Sequence, residues 1–126
     1  MILGLGIDLE EVDRIGESIA KFEDRFLDRV FTQREIEFCQ GKANSRERFA
    51  ARFAAKEAAF KALQASWEEG MSWKDFEVIA QPGGAPRMEL HGGALTMAEA
   101  KGVRKVWISF SHTKTHVSAV VILEGD

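Results

Sequence analysis

Residues 45–64 read SRERFAARFAAKEAAFKALQ, and this stretch decides the fold class of the chain. It is rich in alanine and contains neither glycine nor proline, a composition that favours a long α-helix. On a helical wheel Phe49, Phe53 and Phe60 lie within about 40° of one another, which is typical of a buried stripe. The stretch therefore predicts one long helix whose phenylalanines face the core.

Shorter elements are predicted on the N-terminal side of this helix. The apolar run Met1–Ile7 indicates a strand that ends at Asp8. From Glu10 onward the apolar residues follow a helical period instead. The residues on that helical face are Val12, Ile15, Ile19, Phe22 and Phe26. The sequence TQRE at 32–35 fits a capping box, which predicts a short helix running to about Gln40.

The C-terminal half carries mainly strand signals. A strand is predicted at Phe76–Ile79, and the turn sequence QPGGAP at 81–86 returns the chain to a partner strand at Met88–Leu90. After a small helix over 94–100, two β-rich runs, Val106–Phe110 and Val117–Leu123, flank a polar turn. This order predicts an α+β fold, with the long helix packed on a mostly antiparallel sheet in a single small domain spanning 1–126.

Composition narrows the class of protein. The chain has 126 residues, a hydrophobic fraction of 45% and a net charge of −3, which suit one globular domain and argue against a protein that coats nucleic acid. No apolar run approaches the roughly 18 residues of a membrane-spanning helix, and the N-terminus lacks a signal-peptide pattern. The single Cys39, beside Phe38, indicates a buried thiol. We therefore expect a cytoplasmic protein without a membrane partner.

Asp8, Glu57, Lys61 and His112 are the residues most able to carry chemistry. A carboxylate that closes a strand, as Asp8 does, suits either a metal ligand or the N-cap of the next helix. Glu57 and Lys61 lie one helical turn apart, so they form either a surface ion pair or a Mg²⁺ ligand beside a phosphate-binding lysine. His112 lies in a polar turn, where it either binds an anion or is satisfied by backbone groups.

Taken together, four segments resemble the holo-acyl-carrier-protein synthase family. They are GIDL at 6–9 followed by Arg14-Ile15, RFAAKEA at 52–58 followed by Lys61-Ala62, GMSWKDFEV at 70–78, and SFSHT at 109–113. The resemblance covers essentially the whole chain, in order. It implies a phosphopantetheinyl transferase fold, assembled as a homotrimer with active sites at the subunit interfaces.

The resemblance also implies an activity: phosphopantetheine moves from coenzyme A to a serine of apo-acyl carrier protein, leaving adenosine 3′,5′-bisphosphate, in support of fatty acid biosynthesis. It implies that Asp8 and Glu57 hold Mg²⁺ and that Glu57 and Lys61 are catalytic, with Lys61 at the pyrophosphate. Arg52, His112 and Thr113 would help to bind the nucleotide end of coenzyme A.

The acidic carrier protein would meet Arg14, according to the same resemblance. Arg14, Lys21, Arg25 and Arg29 would span only about 80° of a helix that continued that far. Such a basic stripe beside an apolar face suits the docking of an acidic partner, although a solvated helix face looks much the same.

The chain departs from the family pattern in two places. Gln64-Ala65-Ser66 stands where the family usually has Gly-Thr-Gly, which affects the backbone path past the donor, and Gly84-Ala85-Pro86 lacks a lysine often found in that turn. Two other classes of function remain open from the residues alone. One is a metal-dependent phosphohydrolase that uses Asp8, Glu57 and His112, and the other is a non-catalytic subunit that binds a nucleotide or a carrier protein.

Overall fold

A computed structural model describes residues 1–66 and 70–126. In chain order the elements are β1 (Ile2–Glu11), α1 (Val12–Phe22), α2 (Asp24–Val30), α3 (Gln33–Cys39), α4 (Ser45–Leu63), a 3₁₀ turn (Trp73–Asp75), β2 (Phe76–Ile79), β3 (Arg87–Leu90), α5 (Gly92–Ala100), β4 (Lys105–His112) and β5 (His116–Glu124). The long helix predicted from its alanine content is α4. None of the helices in the described ranges is long and apolar enough to cross a membrane.

The strands form two antiparallel sheets. One has the order β1-β5-β4, and the other is the hairpin β2-β3. The α+β class and the antiparallel pairing are thus as predicted. Cys39 is buried, and burial raises the pKa of its thiol to about 11, so it is a structural residue.

Helix α4 lies directly on β1, and two glycines permit this contact. A Cβ atom added at Gly6 would lie 1.8 Å from the carbonyl oxygen of Ala58, and one added at Gly4 would lie 2.2 Å from that of Ala62. Both alanines are themselves buried. Glycine on the strand and alanine on the helix therefore bring the two backbones together, because no larger side chain fits between them.

A buried ion pair ties α4 to the elements on its other side. Lys56 is 0% exposed, and its Nζ lies 2.8 Å from Glu35 Oε1. The same ammonium donates to the carbonyl oxygens of Phe76 at 2.5 Å and Trp73 at 3.2 Å. Glu35 belongs to the predicted capping box at the start of α3, which the structure confirms. Its Oε2 also accepts from the Val78 N–H at 2.9 Å.

The N-terminal region differs from prediction in two respects. Strand β1 does not end at Asp8, because its pairing with β5 continues to Glu11 opposite His116. The helix that follows is interrupted at Glu23, whose φ of 49° ends α1. A second helix, α2, then starts in a new direction and buries Leu27 and Val30. The prediction of a single helix reaching Phe26 was therefore wrong, because the apolar residues with a helical period belong to two successive helices.

Gln64 ends α4 at a position where the family usually has glycine, and a substitution tests whether this difference strains the backbone. Gln64 has φ 56° and ψ 42°, the left-handed conformation that glycine adopts without steric cost. Gln64→Gly should therefore raise the free energy of unfolding by about 0.5–1 kcal/mol, measured by chemical denaturation at fixed protein concentration. The control is Gln40→Gly, because Gln40 ends α3 with an ordinary φ of −65° and should lose stability. Destabilisation by both changes would show that Gln64 is unstrained.

Candidate active site

The close contact between β1 and α4 brings the predicted catalytic residues together. Successive even positions of β1 face α4, so Asp8 points toward the helix that carries Glu57 and Lys61. Asp8 is buried, and its Oδ1 accepts a hydrogen bond from Lys61 Nζ at 3.2 Å. Lys61 also donates to the carbonyl oxygen of Ile7 at 3.1 Å.

These contacts decide between the alternatives left open for Asp8 and Lys61. Asp8 does not cap a helix: the N-cap of α1 is Glu11, which makes no side-chain capping bond. Lys61 forms its salt bridge with Asp8 across the two elements, so a simple Glu57–Lys61 surface pair does not describe it. The side chain of Lys61 instead extends from α4 to β1, where it contacts the Asp8 carboxylate and the Ile7 carbonyl oxygen.

Glu10 is a third carboxyl group at this site, and the sequence analysis missed it. Burial, a hydrogen bond with Asp8 and the charges of Asp8 and Glu57 raise the pKa of Glu10 to about 8, against the opposing effect of Arg14. Burial and the charge of Asp8 likewise raise the pKa of Glu57. The strand period would have placed Glu10 on the same face as Asp8. It was assigned to the helix because the strand was predicted too short.

The carboxyl cluster fits a divalent cation. Asp8 Oδ2 is buried, and no N–H or hydroxyl group among residues 1–66 and 70–126 donates to it. The neighbouring Glu10 carboxyl can donate to Asp8 only while it is protonated. An unpaired buried carboxylate oxygen is destabilising unless a cation or a donor meets it. Burial is the main cause of the raised pKa values of Glu10 and Glu57, and the nearby negative charge of Asp8 adds to it. Carboxylate oxygens are also the protein ligands that Mg²⁺ prefers.

A second part of the site is a basic cavity of about 180 Å³ at the start of α4. Its lining includes Glu47, Arg48, Arg52, Ser111 and His112. Arg52 is buried, which lowers the pKa of its guanidinium, and its Nε has no hydrogen-bond partner in the described structure. The predicted nucleotide-binding residues Arg52 and His112 therefore do meet at one cavity. Arg48 and Glu47 join them without having been singled out in the sequence.

A neighbouring cavity of about 280 Å³ shares Arg48 and Arg52 with the first. The guanidinium of Arg52 lies 4.6 Å from the centre of the Phe38 ring, which also lines this cavity. Gly84 and Pro86, from the turn that departs from the family pattern, form part of its wall. The two cavities thus combine the flat ring of Phe38 with the charged groups of Arg48 and Arg52, an arrangement suited to the base and phosphates of a nucleotide.

Thr113 takes part in the turn between β4 and β5. Its hydroxyl oxygen accepts from the backbone N–H groups of Thr115 at 3.3 Å and His116 at 3.1 Å. Its own N–H donates to the carbonyl oxygen of His116 at 2.8 Å. The turn is therefore shorter than the polar segment suggested, and His112 ends the strand instead of lying in the turn.

The predicted basic stripe is divided between two helices. Arg14 and Lys21 belong to α1, whereas Arg25 and Arg29 belong to α2, because of the break at Glu23. A continuous stripe on one helix was therefore wrong. Arg14 lies close enough to Glu10 to lower its pKa, which places it beside the carboxyl cluster. On α2, the two arginines line a surface cavity of about 450 Å³ together with Phe22 and Phe26.

A second cluster of possible metal ligands lies on and beside the β2-β3 hairpin. The possible ligand atoms of Glu77, Glu89 and His91 lie within 4.8 Å of one another. Glu77, however, already binds Arg34 at 2.8 Å and accepts from the Thr32 hydroxyl at 2.5 Å. These donors hold the pKa of Glu77 at about 2 against the effect of burial. This group is therefore an internally neutralised structural network.

Comparisons with known proteins cover nearly the whole chain. The sequence model of the 4′-phosphopantetheinyl transferase superfamily matches residues 4–120. The chain is 55% identical over 124 residues to the holo-[acyl-carrier-protein] synthase of Koribacter versatilis, covering 98% of this chain and 99% of that protein. Its structure resembles the holo-[acyl-carrier-protein] synthase of Neisseria meningitidis with a TM-score of 0.88 at 28% identity, over 98% of this chain and 99% of that one.

A further solved structure carries a ligand. It is the holo-(acyl-carrier-protein) synthase of Bacillus anthracis in complex with coenzyme A (3′,5′-ADP), with a TM-score of 0.80, 32% identity and coverage of 100% of this chain and 99% of that one. Likeness of this extent confirms the fold expected from the resemblance. The chain belongs to the 4′-phosphopantetheinyl transferase superfamily, within its family of holo-[acyl-carrier-protein] synthases.

Proposed function

We propose that this chain transfers phosphopantetheine from coenzyme A to a serine of apo-acyl carrier protein, in the cytoplasm and in support of fatty acid biosynthesis. The observation that carries the proposal is the meeting of Asp8, Glu57 and Lys61 at the contact of β1 with α4. The basic cavity lined by Arg52 and His112 also supports the proposal, because Arg52 lies on the same helix α4. The kinship with a synthase at 55% identity supports the same activity.

Mg²⁺ would be held by Asp8 and Glu57, with Glu10 next to them. The orphaned Asp8 Oδ2 and the raised pKa values of both glutamates support this assignment. When bound, the ion supplies positive charge to the pyrophosphate oxygens of the donor.

The chain's own groups account for the rest of the transfer. The carrier serine oxygen forms a bond to the β-phosphorus of coenzyme A, and the bond from that phosphorus to the oxygen of adenosine 3′,5′-bisphosphate breaks. Lys61, which donates to Asp8 and to the Ile7 carbonyl oxygen, would stabilise charge on the pyrophosphate. Glu57 would accept the serine proton as the general base. Arg52, His112 and Thr113 would hold the nucleotide.

Assembly as a homotrimer with sites between subunits would cover an unusual surface. On the outer face of the three-stranded sheet Leu5, Ile7 and Leu9 are 63%, 63% and 65% exposed, and Trp107 is 49% exposed. An apolar surface of this kind on a small domain favours association. Sedimentation equilibrium should then give three times the chain mass of 14.1 kDa.

The direct test of the activity is mass spectrometry of apo-acyl carrier protein after incubation with the chain, coenzyme A and Mg²⁺. A gain of one phosphopantetheine on the carrier supports the transferase. Loss of phosphate or nucleotide from coenzyme A without carrier would instead indicate a phosphohydrolase. Nucleotide binding without either product would indicate a non-catalytic subunit.

Arg14, Lys21 and Arg25 would bind the carrier protein, and a substitution of Arg14 tests this role. Arg14→Glu should lower kcat/KM for the carrier by about tenfold or more at low salt, because it reverses a charge beside the site that an acidic partner must approach. The KM for coenzyme A should change little. The control is Arg104→Glu, an exposed residue that pairs with Asp126. Added salt should slow the wild type and narrow its advantage over Arg14→Glu. Equal salt sensitivity of the two proteins would place the carrier elsewhere.

A further inference from the structure

Glu47 is an acidic residue in a cavity whose other charged groups are basic. It lies in the first turn of α4 and lines the cavity of about 180 Å³ together with Arg48, Arg52 and His112. Its Oε1 lies 2.5 Å from His112 Nδ1. The side chain of Glu47 is only 27% exposed, so it belongs to the cavity wall and not to the open surface.

The cavity contains a buried cation. Arg52 is more than nine-tenths buried, with an Nε that meets no acceptor within residues 1–66 and 70–126. The cavity lies at the start of α4, the positive end of the helix dipole. Glu47 is the acidic group among the described residues that line the cavity, and it pairs with His112.

A phosphate that entered this cavity would meet Glu47 as a competitor. His112 Nδ1 cannot donate to Glu47 and to a phosphate oxygen at the same time with full strength. The Glu47 charge would also repel a phosphate held nearby by Arg48 and Arg52. The pair must therefore open, or rotate, before the nucleotide end of the donor is fully bound.

We propose that Glu47 is the resident anion of the donor cavity, which a phosphate of the nucleotide displaces from His112, so that Glu47 limits the affinity of this site for both donor and product. The proposal rests on the proposed function, because it takes coenzyme A as the donor. Its consequence is that adenosine 3′,5′-bisphosphate leaves more readily than the number of basic groups in the cavity would suggest.

Calorimetric titration with adenosine 3′,5′-bisphosphate tests the proposal without the transfer reaction. Glu47→Gln should bind this nucleotide about three- to fivefold more tightly than the wild type, because the change removes the charge that repels the phosphate and weakens a pair that must open. The gain is modest because His112 is 63% exposed, and exposed ion pairs contribute little. Glutamine keeps the size of the side chain and suits the first turn of a helix. Glu99→Gln, an exposed change of the same charge on α5, should leave the affinity unchanged.

Two further measurements sharpen the result. The gain from Glu47→Gln should shrink in a His112→Ala background, since no histidine is then left to release. In turnover, Glu47→Gln should lower the KM for coenzyme A and leave the KM for the carrier unchanged, a split that a mere loss of stability would not produce.

Weaker nucleotide binding by Glu47→Gln would overturn the proposal and make Glu47 a residue that positions His112. An unchanged affinity, or an undiminished gain in the His112→Ala background, would overturn it as well. Absence of nucleotide binding by the wild type is a different result, since it would remove the proposed function on which this inference depends.

Discussion

Asp8→Asn and Glu57→Gln should each lower phosphopantetheine transfer by about a thousandfold or more. Both substitutions keep the shape of the side chain and remove a charge from the carboxyl cluster. Asp8 also anchors Lys61, so its loss disturbs two groups at once. The measurement is kcat/KM at saturating Mg²⁺, with carrier modification followed by mass spectrometry. Glu99→Gln serves again as the control of equal charge. Near-normal turnover of either variant would show that its carboxylate is not a metal ligand.

Metal affinity gives this prediction a readout that does not depend on turnover. The pKa of Glu10 is raised to about 8, so this carboxyl is largely protonated at neutral pH, and the pKa of Glu57 is raised as well. A cation binds the ionised carboxylates, and its affinity should therefore increase as the pH rises toward and through about 8. Titration with Mn²⁺ in buffers of different ionisation enthalpy would detect the released protons. Asp8→Asn should abolish this binding.

Lys56→Met should lower the free energy of unfolding by about 3–5 kcal/mol, the largest effect on stability that we expect from a single side chain. Methionine replaces the volume of the lysine but leaves the carboxylate of Glu35 buried without its cation. It also leaves the carbonyl oxygens of Phe76 and Trp73 without this donor. Chemical denaturation at a fixed protein concentration measures the loss, since an oligomer unfolds in a concentration-dependent way.

The matched control for this change is the double variant Lys56→Met with Glu35→Gln. Glutamine can keep the capping box of α3 and removes the uncompensated charge. The double variant should therefore be more stable than Lys56→Met alone. A loss of less than about 1 kcal/mol in Lys56→Met would contradict the buried pair.

Local patterns predicted the elements whose formation depends on nearby residues. Alanine content was enough to predict α4, and the capping box was enough to predict the start of α3. The break at Glu23 was not predictable in this way, because the apolar period continues across it and only the packing of Leu27 and Val30 requires a change of direction. The strand pairing that carries β1 to Glu11 is likewise a long-range contact.

The site was predictable only where residue type and family resemblance pointed to the same position. Asp8, Glu57 and Lys61 were singled out by residue type and spacing and then by the resemblance, and the structure brings them together. Glu10 was missed because its position depends on the length of a strand. Glu47 was missed because an acidic residue in a basic cavity follows no pattern along the chain, and its pairing with His112 arises only when β4 lies beside α4.

The contact of Gly4 and Gly6 with the backbone of α4 has a consequence for how this family of sequences can change. The separation between the strand that bears Asp8 and the helix that bears Glu57 is set by main-chain atoms, with no layer of side chains between them. Substitutions elsewhere in the core, around α1 to α3, can therefore alter stability without moving the two carboxylates relative to each other. Stability and chemistry can drift separately in evolution, as long as two residues that carry no functional group stay as small as they are.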